Sequence, residues 1–277
     1  MNVIPRISVF LVNIFFNSRY RLASWTRKHP RFGRFIRKLA FDGDDMVVIP
    51  KNNTVRRTVD LDIEIKDADE RNVVPSDLVK MVLRKSDKIF IMNFCLCRKS
   101  NKCKDYPVGS GCIFVGKATS KIPPEYGRFA SPEEACAFID DCGEKGHVHI
   151  IGRNKLDSIW LHTGNHLDLM TICNCCPCCC LWNMARDIDK DISDCYRRLD
   201  GVTITADTET CAGCGICLES CFVRAIQIRE GKVVLDDAKC RGCGRCSESC
   251  PTKAITLGFD PGVLESEADR IYRLVNQ

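Results

Sequence analysis

Residues 211–221, CAGCGICLESC, and residues 240–251, CRGCGRCSESCP, repeat one pattern of four cysteines, Cys-x2-Cys-x2-Cys-x3-Cys. Gaps of two residues let three thiolates on one tight loop converge on three corners of a cubic [4Fe-4S] cluster, and the fourth ligand must come from elsewhere. In the two-cluster pattern the last Cys of each run ligates the other cluster. The spacing therefore predicts two crossed ligand sets. These are Cys211, Cys214, Cys217 and Cys250 for one cluster, and Cys240, Cys243, Cys246 and Cys221 for the other.

Small residues accompany the cysteines in both runs. The glycines are Gly213, Gly215, Gly242 and Gly244. They permit positive φ, which lets backbone N–H groups point at cluster sulfurs. Zinc ribbons and disulfides compete with this interpretation, but zinc sites usually present separated CxxC pairs. Residues 201–260 resemble the bacterial two-[4Fe-4S] ferredoxin family, which implies a pseudo-twofold fold of short hairpins and helices. Phe222 departs from that pattern, because the family has a proline there, as the second run has Pro251.

Length and cysteine usage restrict the class of protein. The chain has 277 residues, 45% of them apolar and 21 of them cysteine, so it can bury a core and suggests two domains. Disulfide scaffolds are typically short secreted domains. These motifs instead bind oxidation-sensitive clusters, so we expect a reducing cytoplasm. No apolar run reaches the roughly 18 residues of a spanning helix, and the longest, residues 7–16, is interrupted by Ser8 and Asn13.

The formal net charge of +5 is distributed unevenly along the chain. Residues 1–41 contain nine Lys or Arg and no acidic residue, and their aromatic side chains predict two short amphipathic helices on either side of Pro30. Such helices can pack on the rest of the protein or on a partner subunit, or lie peripherally on the inner face of an anionic membrane. A signal peptide is disfavoured because no A-x-A-like cleavage site follows. No nucleic acid is expected as a partner, since no reading motif accompanies the charges.

Between residues 42 and 200 the apolar spacing alternates between helix and strand periods. Ser131 can cap a helix whose capping-box position is Glu134, and Gly143 predicts its end. Further helices are predicted at 76–83 and 181–199, and strands at 59–65, 89–94, 147–151 and 169–173. The fold class is therefore α+β, in four segments. These are a basic aromatic-rich arm at 1–41, a cysteine-rich α+β domain at 42–200, a two-cluster ferredoxin module at 201–260 and a C-terminal helix at 261–277.

Two further cysteine-rich loops follow predicted strands in the domain at 42–200. Their candidate metal ligands are Cys95, Cys97, Cys103, Cys112, Cys173, Cys175, Cys176, Cys178, Cys179 and Cys180. Strand ends that deliver ligands from different loops to one point are a common way to build a metal site. Adjacent Cys side chains point apart, so one cube cannot use all six thiols of residues 173–180. At least one further iron–sulfur cluster, another metal such as zinc, a redox dithiol and plain buried thiols are the alternatives. Cys136, Cys142 and Cys195 fall on predicted helices and are expected to be small buried residues.

Three short stretches of this domain extend the family likeness. They are FCLCR at 94–98, GHVH at 146–149 and ICNCC at 172–176. Together with the two runs they resemble a group of ferredoxin-like proteins of anaerobic bacteria and archaea that place an FCxCR and ICNCC domain ahead of a two-cluster module. The resemblance implies redox work and leaves the substrate open. Arg98 can offset the negative charge of a nearby cluster, or hold a loop carbonyl or a carboxylate.

Electron transfer is the function these observations favour. We expect an electron-transfer subunit that relays low-potential electrons between the two clusters, a further N-terminal centre and a redox partner protein. Residues 201–260 hold seven Lys or Arg against eight Asp or Glu, so long-range steering is weak and a stable subunit is favoured over a diffusing shuttle. The alternatives are a reductase whose N-terminal centre reduces a small substrate, and a redox sensor. Residues 109–116 lack the G-x-G-x-x-G spacing of a dinucleotide site, and no catalytic residue is predicted.

Overall fold

The computed structural model describes residues 10–12, 16–57 and 73–275. The helices are α1 (Arg19–Lys28), α2 (Pro30–Ala40), α3 (Asp77–Arg84), α4 (Leu96–Ser100), α5 (Pro132–Glu144), α6 (Lys155–Leu161), α7 (Lys190–Ser193), α8 (Ile216–Ser220), α9 (Arg245–Ser249) and α10 (Leu264–Tyr272). The strands are β1 (Asp45–Val48), β2 (Val55–Arg57), β3 (Ile89–Met92), β4 (Ile113–Val115), β5 (Gly127–Ala130), β6 (Val148–Arg153), β7 (Met170–Cys175), β8 (Tyr196–Arg198), β9 (Val202–Ala206), β10 (Ile226–Arg229), β11 (Lys232–Leu235) and β12 (Ile255–Phe259). Helices and strands together make the α+β class that the sequence predicts.

A seven-stranded mixed sheet organises the N-terminal domain. Its strand order is β5-β3-β4-β7-β6-β1-β8, and only the β1–β8 pair is parallel. Side chains alternate along β1, so Val47 faces one hydrophobic core while Met46 and Val48 face another. Helices α3, α5 and α10 cover the first core, and α1 with the 3-10 helix Leu181–Arg186 covers the second. Both faces of the central strands are thus buried, which explains their continuous apolar sequence.

Most of the predicted elements are confirmed. The helices predicted at 76–83 and 131–143 are α3 and α5, and Ser131 and Glu134 form both hydrogen bonds of the capping box. Helix α5 continues to Glu144, and the left-handed residue that follows it is Gly146 (φ 82°) instead of Gly143. The strands predicted at 89–94, 147–151 and 169–173 correspond to β3, β6 and β7. The strand predicted at 59–65 lies outside the described residues.

The prediction of a single helix at 181–199 is wrong. That stretch forms the 3-10 helix Leu181–Arg186, the one-turn helix α7 and the strand β8. Asp189 begins α7 as a new helix because its side chain accepts a hydrogen bond from the Asp191 N–H at 3.0 Å. Tyr196 then pairs with Met46 of β1, and its ring packs against Trp182 at a tilt of 40°, with centroids 3.8 Å apart. Strand pairing therefore overrides the helical spacing of the apolar residues.

The segment at 201–260, predicted to be a ferredoxin-like module, shares structural elements with the N-terminal domain. Strand β12 pairs with β9 of the module on one side and with β2 of the N-terminal segment, in parallel, on the other. Strands β10 and β11 form a separate hairpin. Helix α10, from the predicted C-terminal segment, packs on α3. The module is therefore built into the rest of the fold, and the segment boundaries stay a prediction.

Helices α1 and α2 form most of the described part of the basic arm, after the 3-10 helix Phe16–Ser18, and meet at Pro30, the first residue of α2. Their inner face packs on residues 181–189: Thr26 is buried, and its hydroxyl accepts a hydrogen bond from the Asp189 N–H at 3.2 Å. Gly33 lies against Thr26 so closely that a Cβ there would approach the Thr26 carbonyl oxygen to 2.9 Å. Within the described residues, no helix combines the length and apolar character needed to cross a bilayer.

A substitution in β6 tests the packing of the central sheet. At Gly152 the backbone has φ 150°, and a Cβ would lie 1.9 Å from the Asp45 carbonyl oxygen. We expect Gly152→Ala to lower the free energy of unfolding by about 2 kcal/mol or more, measured by denaturant titration. Gly109→Ala is the matched control, because nothing lies within 4 Å of its added Cβ. Equal stability of the two variants would contradict the described register of β1 and β6.

Candidate metal centres

Each cysteine run forms a loop that leads into a one-turn helix. Helix α8 begins after Gly215 and α9 after Gly244, and both glycines have left-handed backbones, with φ of 77° and 83°. A Cβ at position 244 would lie 2.0 Å from Thr54 Oγ1, so this close approach requires glycine. The two helices contact each other, and the hydroxyl groups of Ser220 and Ser249 hydrogen-bond at 2.8 Å between them. The two runs are thus held side by side.

The eight cysteines of the two runs line two separate small cavities. One is lined by Cys211, Cys214, Cys217 and Cys250, and the other by Cys221, Cys240, Cys243 and Cys246. Each cavity has a volume of about 20 Å³. These groups are the two crossed sets that the spacing predicts, here called the outer site and the inner site in that order. Ligation of a cluster by either set stays a prediction.

Backbone groups around both sites suit negatively charged sulfur ligands. The Gly213 N–H donates to Cys211 Sγ and the Gly242 N–H to Cys240 Sγ, both at 3.4 Å. The Ala225 N–H donates to Cys221 Sγ at 3.2 Å. Such N–H···S bonds stabilise thiolates and raise the reduction potential of a bound cluster. The residues present therefore fit [4Fe-4S] clusters.

The two sites differ in depth. In the outer site Cys214 is exposed, as are the neighbouring side chains of Ile216 and Leu218. In the inner site Cys240 and Cys246 are buried, and burial raises the pKa of Cys240 to about 11. A metal centre held there would displace protons from its thiols on binding. The outer site is therefore the more exposed of the two.

The N-terminal cysteines meet at one edge of the large sheet. Strands β3, β4 and β7 are antiparallel neighbours, so the end of β3, the start of β4 and the end of β7 lie at the same edge. Six thiols from these strand ends and the following loops line one large cavity: Cys95, Cys97, Cys112, Cys173, Cys175 and Cys180. Cys176 also contributes to its wall. We call the six thiols the cavity set.

Two thiols of the cavity set favour the ionised form that binds metals. The Cys97 thiol lowers the pKa of Cys95 to about 7. The thiols of Cys173 and Cys180 lower the pKa of Cys175 well below its usual range. A thiolate is the metal-binding form of cysteine, so these positions are suited to ligation.

A second group of N-terminal thiols is more compact. The sulfur atoms of Cys103, Cys176, Cys178 and Cys179 all lie within 4.8 Å of one another, and those of Cys103 and Cys178 are 3.6 Å apart. Four thiolates bound to one tetrahedral ion at roughly 2.3 Å place their sulfurs about 3.8 Å apart. A cubic cluster requires wider spacing, because each sulfur binds a different iron. The geometry of this compact set therefore fits a single ion better than a cluster.

The six-thiol loop at 173–180 is thus divided between two places. Cys179 and Cys180 point apart, as expected from the sequence, whereas Cys176 belongs to the compact set and also lies in the wall of the cavity that Cys175 lines. Cys178 and Cys179 are the exception, because both belong to the compact set. The three remaining cysteines, Cys136, Cys142 and Cys195, do not line the large cavity or the cavities of the outer and inner sites. Cys195 lies between α7 and β8 and not on a helix, contrary to the expectation.

Arg98 ties the cysteine loops together. Its side chain is fully buried, and its Nη1 donates to the Asn174 carbonyl at 2.8 Å while Nη2 donates to the Ser110 carbonyl. Arg98 therefore holds loop carbonyls, which is one of its two expected roles. Burial alone would lower the pKa of Arg98, but the thiols of Cys95 and Cys176 outweigh that effect and raise it. The guanidinium is thus a fixed positive charge among candidate ligands.

The buried histidines complete this polar layer. Asn174 Nδ2 donates to the Gly111 carbonyl at 2.7 Å, so its Oδ1 accepts from His149 Nδ1 at 2.8 Å. His147 Nδ1 donates to the Cys142 carbonyl at 2.9 Å, and burial lowers the pKa of His147 to about 4. Both imidazoles are therefore hydrogen-bonded structural groups that are neutral at pH 7.

Arg245 is a site residue that the sequence reasoning missed. It lies between Cys243 and Cys246 of the inner site, is buried, and donates from Nη2 to the Cys175 carbonyl at 3.0 Å. It therefore connects the inner site with the cavity set. The one sequence signal for Arg245 is its position inside the second cysteine run. That position does not reveal its hydrogen-bond partner, Cys175, which lies 70 residues away along the chain.

Comparison with known proteins supports the iron–sulfur assignment of the module. Residues 210–257 match the family model of the 4Fe-4S dicluster domain. The match covers the outer and inner sites and ends before α10, so it concerns this segment and not the whole chain. No curated protein and no solved structure matches the chain significantly. The match supports an iron–sulfur, ferredoxin-like segment at these residues.

Metal analysis of single variants tests the division of the thiols. We expect Cys103→Ser to lower the metal content by about one ion per chain, because one tetrahedral site is lost. Cys211→Ser should lower iron by about four, because it disturbs a cubic cluster. Cys195→Ser is the control and should retain all metal. Loss of several irons from Cys103→Ser in anaerobically purified protein would show that the compact set belongs to a cluster.

Proposed function

We propose that the protein transfers low-potential electrons between a redox partner, two [4Fe-4S] clusters in the dicluster module and a further cluster in the N-terminal domain. The observation that carries this proposal is the arrangement of the thiols: contact between α8 and α9 holds the outer site, with its exposed Cys214, beside the inner site, and the inner site lies next to the cavity set. Arg245 links the last two through its hydrogen bond to the Cys175 carbonyl.

The residues of the chain would hold the clusters and adjust their potentials. Bound clusters supply one-electron oxidation and reduction. Two kinds of group would favour the reduced form of a bound cluster, which is the more negative form. They are the N–H groups of Gly213, Gly242 and Ala225 and the buried guanidinium groups of Arg98 and Arg245. Burial of Cys240 and Cys246 limits the access of water to their sulfurs. The protein thus supports redox chemistry that the metal and sulfide perform.

We assign different occupants to the two N-terminal thiol sets. The cavity set offers six thiols from three strand ends, more than a single cluster needs, and it is the proposed location of the further iron–sulfur cluster. The compact set would hold a single zinc or iron ion, since its sulfurs lie within 4.8 Å. That ion would stabilise the 173–180 loop, because it cross-links Cys103 to three positions of the loop.

The redox partner is proposed to bind at the outer site. Cys214 is exposed there, and Ile216 and Leu218 are exposed beside it, which gives an apolar contact next to the candidate cluster. The near balance of charges in residues 201–260 provides little steering, so we propose a lasting subunit contact.

A second candidate function is reduction of a small substrate at the N-terminal centre. The cavity that contains the cavity set has a volume of about 530 Å³, against about 20 Å³ at each of the other two sites. The outer and inner sites, proposed to bind clusters, leave little free space between their thiols. The additional volume favours a centre to which another molecule has access.

Iron and sulfide analysis of the anaerobically purified protein tests the further cluster. We expect about twelve irons in cluster form, and about eight in Cys173→Ser, because the dicluster module retains its eight ligands. Cys142→Ser is the control, since this buried thiol lines none of the three cavities. About eight irons in the unaltered protein would mean that the N-terminal domain holds no cluster.

Exogenous ligands separate electron transfer from substrate reduction. If the N-terminal centre has an open coordination position, cyanide or carbon monoxide should change the electron paramagnetic resonance spectrum of the reduced protein, and the change should be lost in Cys173→Ser. A spectrum that both molecules leave unchanged would exclude the reductase and retain the relay.

A further inference from the structure

The large cavity is bounded by helices as well as by the cysteine loops. It extends from the cavity set to the basic arm and is enclosed by α1, α2, α6 and residues 181–188. Its lining away from the thiols is almost entirely apolar and includes Phe16, Ala23, Ile36, Ala40 and Trp160. A volume of about 530 Å³ falls within the range of small-molecule sites. The cavity can therefore hold an apolar molecule in addition to a cluster.

The mouth of the cavity lies on the arm. Leu22, Leu39 and Ile159 line the cavity and are also 46%, 55% and 45% exposed, so they mark the place where it opens. Trp25 and Phe35 are exposed on the same two helices. Exposed apolar patches of this kind mark binding surfaces for proteins, ligands or membranes.

Basic side chains surround this opening. On α1 and α2, Arg21, Lys28, Arg31, Arg34 and Lys38 are exposed and form no ion pair with any described residue. Residues 16–41 contain no acidic residue that could neutralise them. Apolar side chains between Lys and Arg are the pattern by which helices lie on an anionic bilayer surface. The positive charge around the opening therefore favours contact with an anionic membrane over contact with a protein of mixed charge.

One polar group at the inner end of the cavity is left to bind a ligand. Arg98 lines the cavity and is fully buried, and its Nε has no hydrogen-bond partner among the described residues. Asp157 also lines the cavity, but its carboxylate is occupied by Trp160 Nε1 and the Thr171 hydroxyl, both at 2.7 Å. A ligand with an apolar body and a hydrogen-bond acceptor at one end would suit this arrangement.

We propose that the cavity binds a quinone taken from an anionic bilayer on which α1 and α2 lie, with the ring toward the cavity set and the tail toward Leu22 and Leu39. This rests on the proposed function, because the thiol end is where electrons would be available. Reduction of the ring takes up two electrons, delivered singly from the redox partner, and two protons from water, and converts both carbonyl groups to hydroxyls.

Binding of decylubiquinone to the purified holoprotein, measured by equilibrium dialysis, tests the pocket. We expect about one molecule bound per chain, and an affinity lowered about tenfold or more in Ala40→Trp, which fills the cavity. Leu22→Asp/Leu39→Asp should weaken binding similarly, since it places charge at the mouth. Phe129→Asp is the matched control, because Phe129 is 56% exposed but lies on the edge strand β5.

Flotation with vesicles tests the source of the ligand. We expect binding to phosphatidylcholine vesicles that contain phosphatidylglycerol and not to phosphatidylcholine alone, with loss in Leu22→Asp/Leu39→Asp and retention in Ala40→Trp. Iron content measured in the same samples reports separately on the proposed clusters. Absence of saturable quinone binding at full iron content, equal affinity in Ala40→Trp, preference for a saturated fatty acid, or no flotation would each overturn the proposal.

Discussion

A buried positive charge among thiols is the interaction on which the N-terminal centre depends. Arg98 is fully buried, and a buried cation is stable only beside compensating negative charge and with its donors occupied. Carbonyls of Asn174 and Ser110 occupy two of its nitrogens, and the Cys95 thiol, whose pKa is lowered to about 7, can compensate its charge when ionised. The dependence is mutual, because those thiolates would be costly to bury without the cation or a metal. The loops around residues 95–112 and 173–180 are therefore held in place by charge as well as by the sheet.

The module is joined to this centre by several kinds of contact, which argues against a mobile attachment. Strand β2 completes the sheet of the module, and α10 returns to pack on α3. Arg245 reaches from the inner site to the Cys175 carbonyl. Electron transfer depends steeply on distance, so a fixed arrangement of metal sites matters more than a flexible one. The fold fixes the inner site against the cavity set and leaves the outer site at the surface.

How much of this could be predicted depends on how local the signal is. The two cysteine runs and the cap at Ser131 are local patterns, and the structure groups or forms them as expected. The stretch 181–199 was misjudged because the pairing of Tyr196 with β1 is a contact 150 residues away along the chain. The shared orientation of Cys178 and Cys179 depends on the position of Cys103, which spacing does not reveal. The cavity could not be found from the sequence, since its walls come from the arm, α6 and the cysteine loops together.

The basic arm packs on the protein with one face and exposes apolar and basic side chains on the other. Its inner face is buried, as Ala23 and Thr26 show, whereas Trp25, Phe35 and Leu39 remain exposed between basic residues. A helix pair that served only to cover the core would gain nothing from aromatic side chains on its outer face, and the uncompensated positive charges repel one another. Neither cost arises at an anionic membrane, because the aromatic side chains can enter its apolar interior and the basic side chains lie beside its anionic headgroups. Since the cavity opens between these same side chains, the arm can be at once a wall of the cavity and its contact with a membrane.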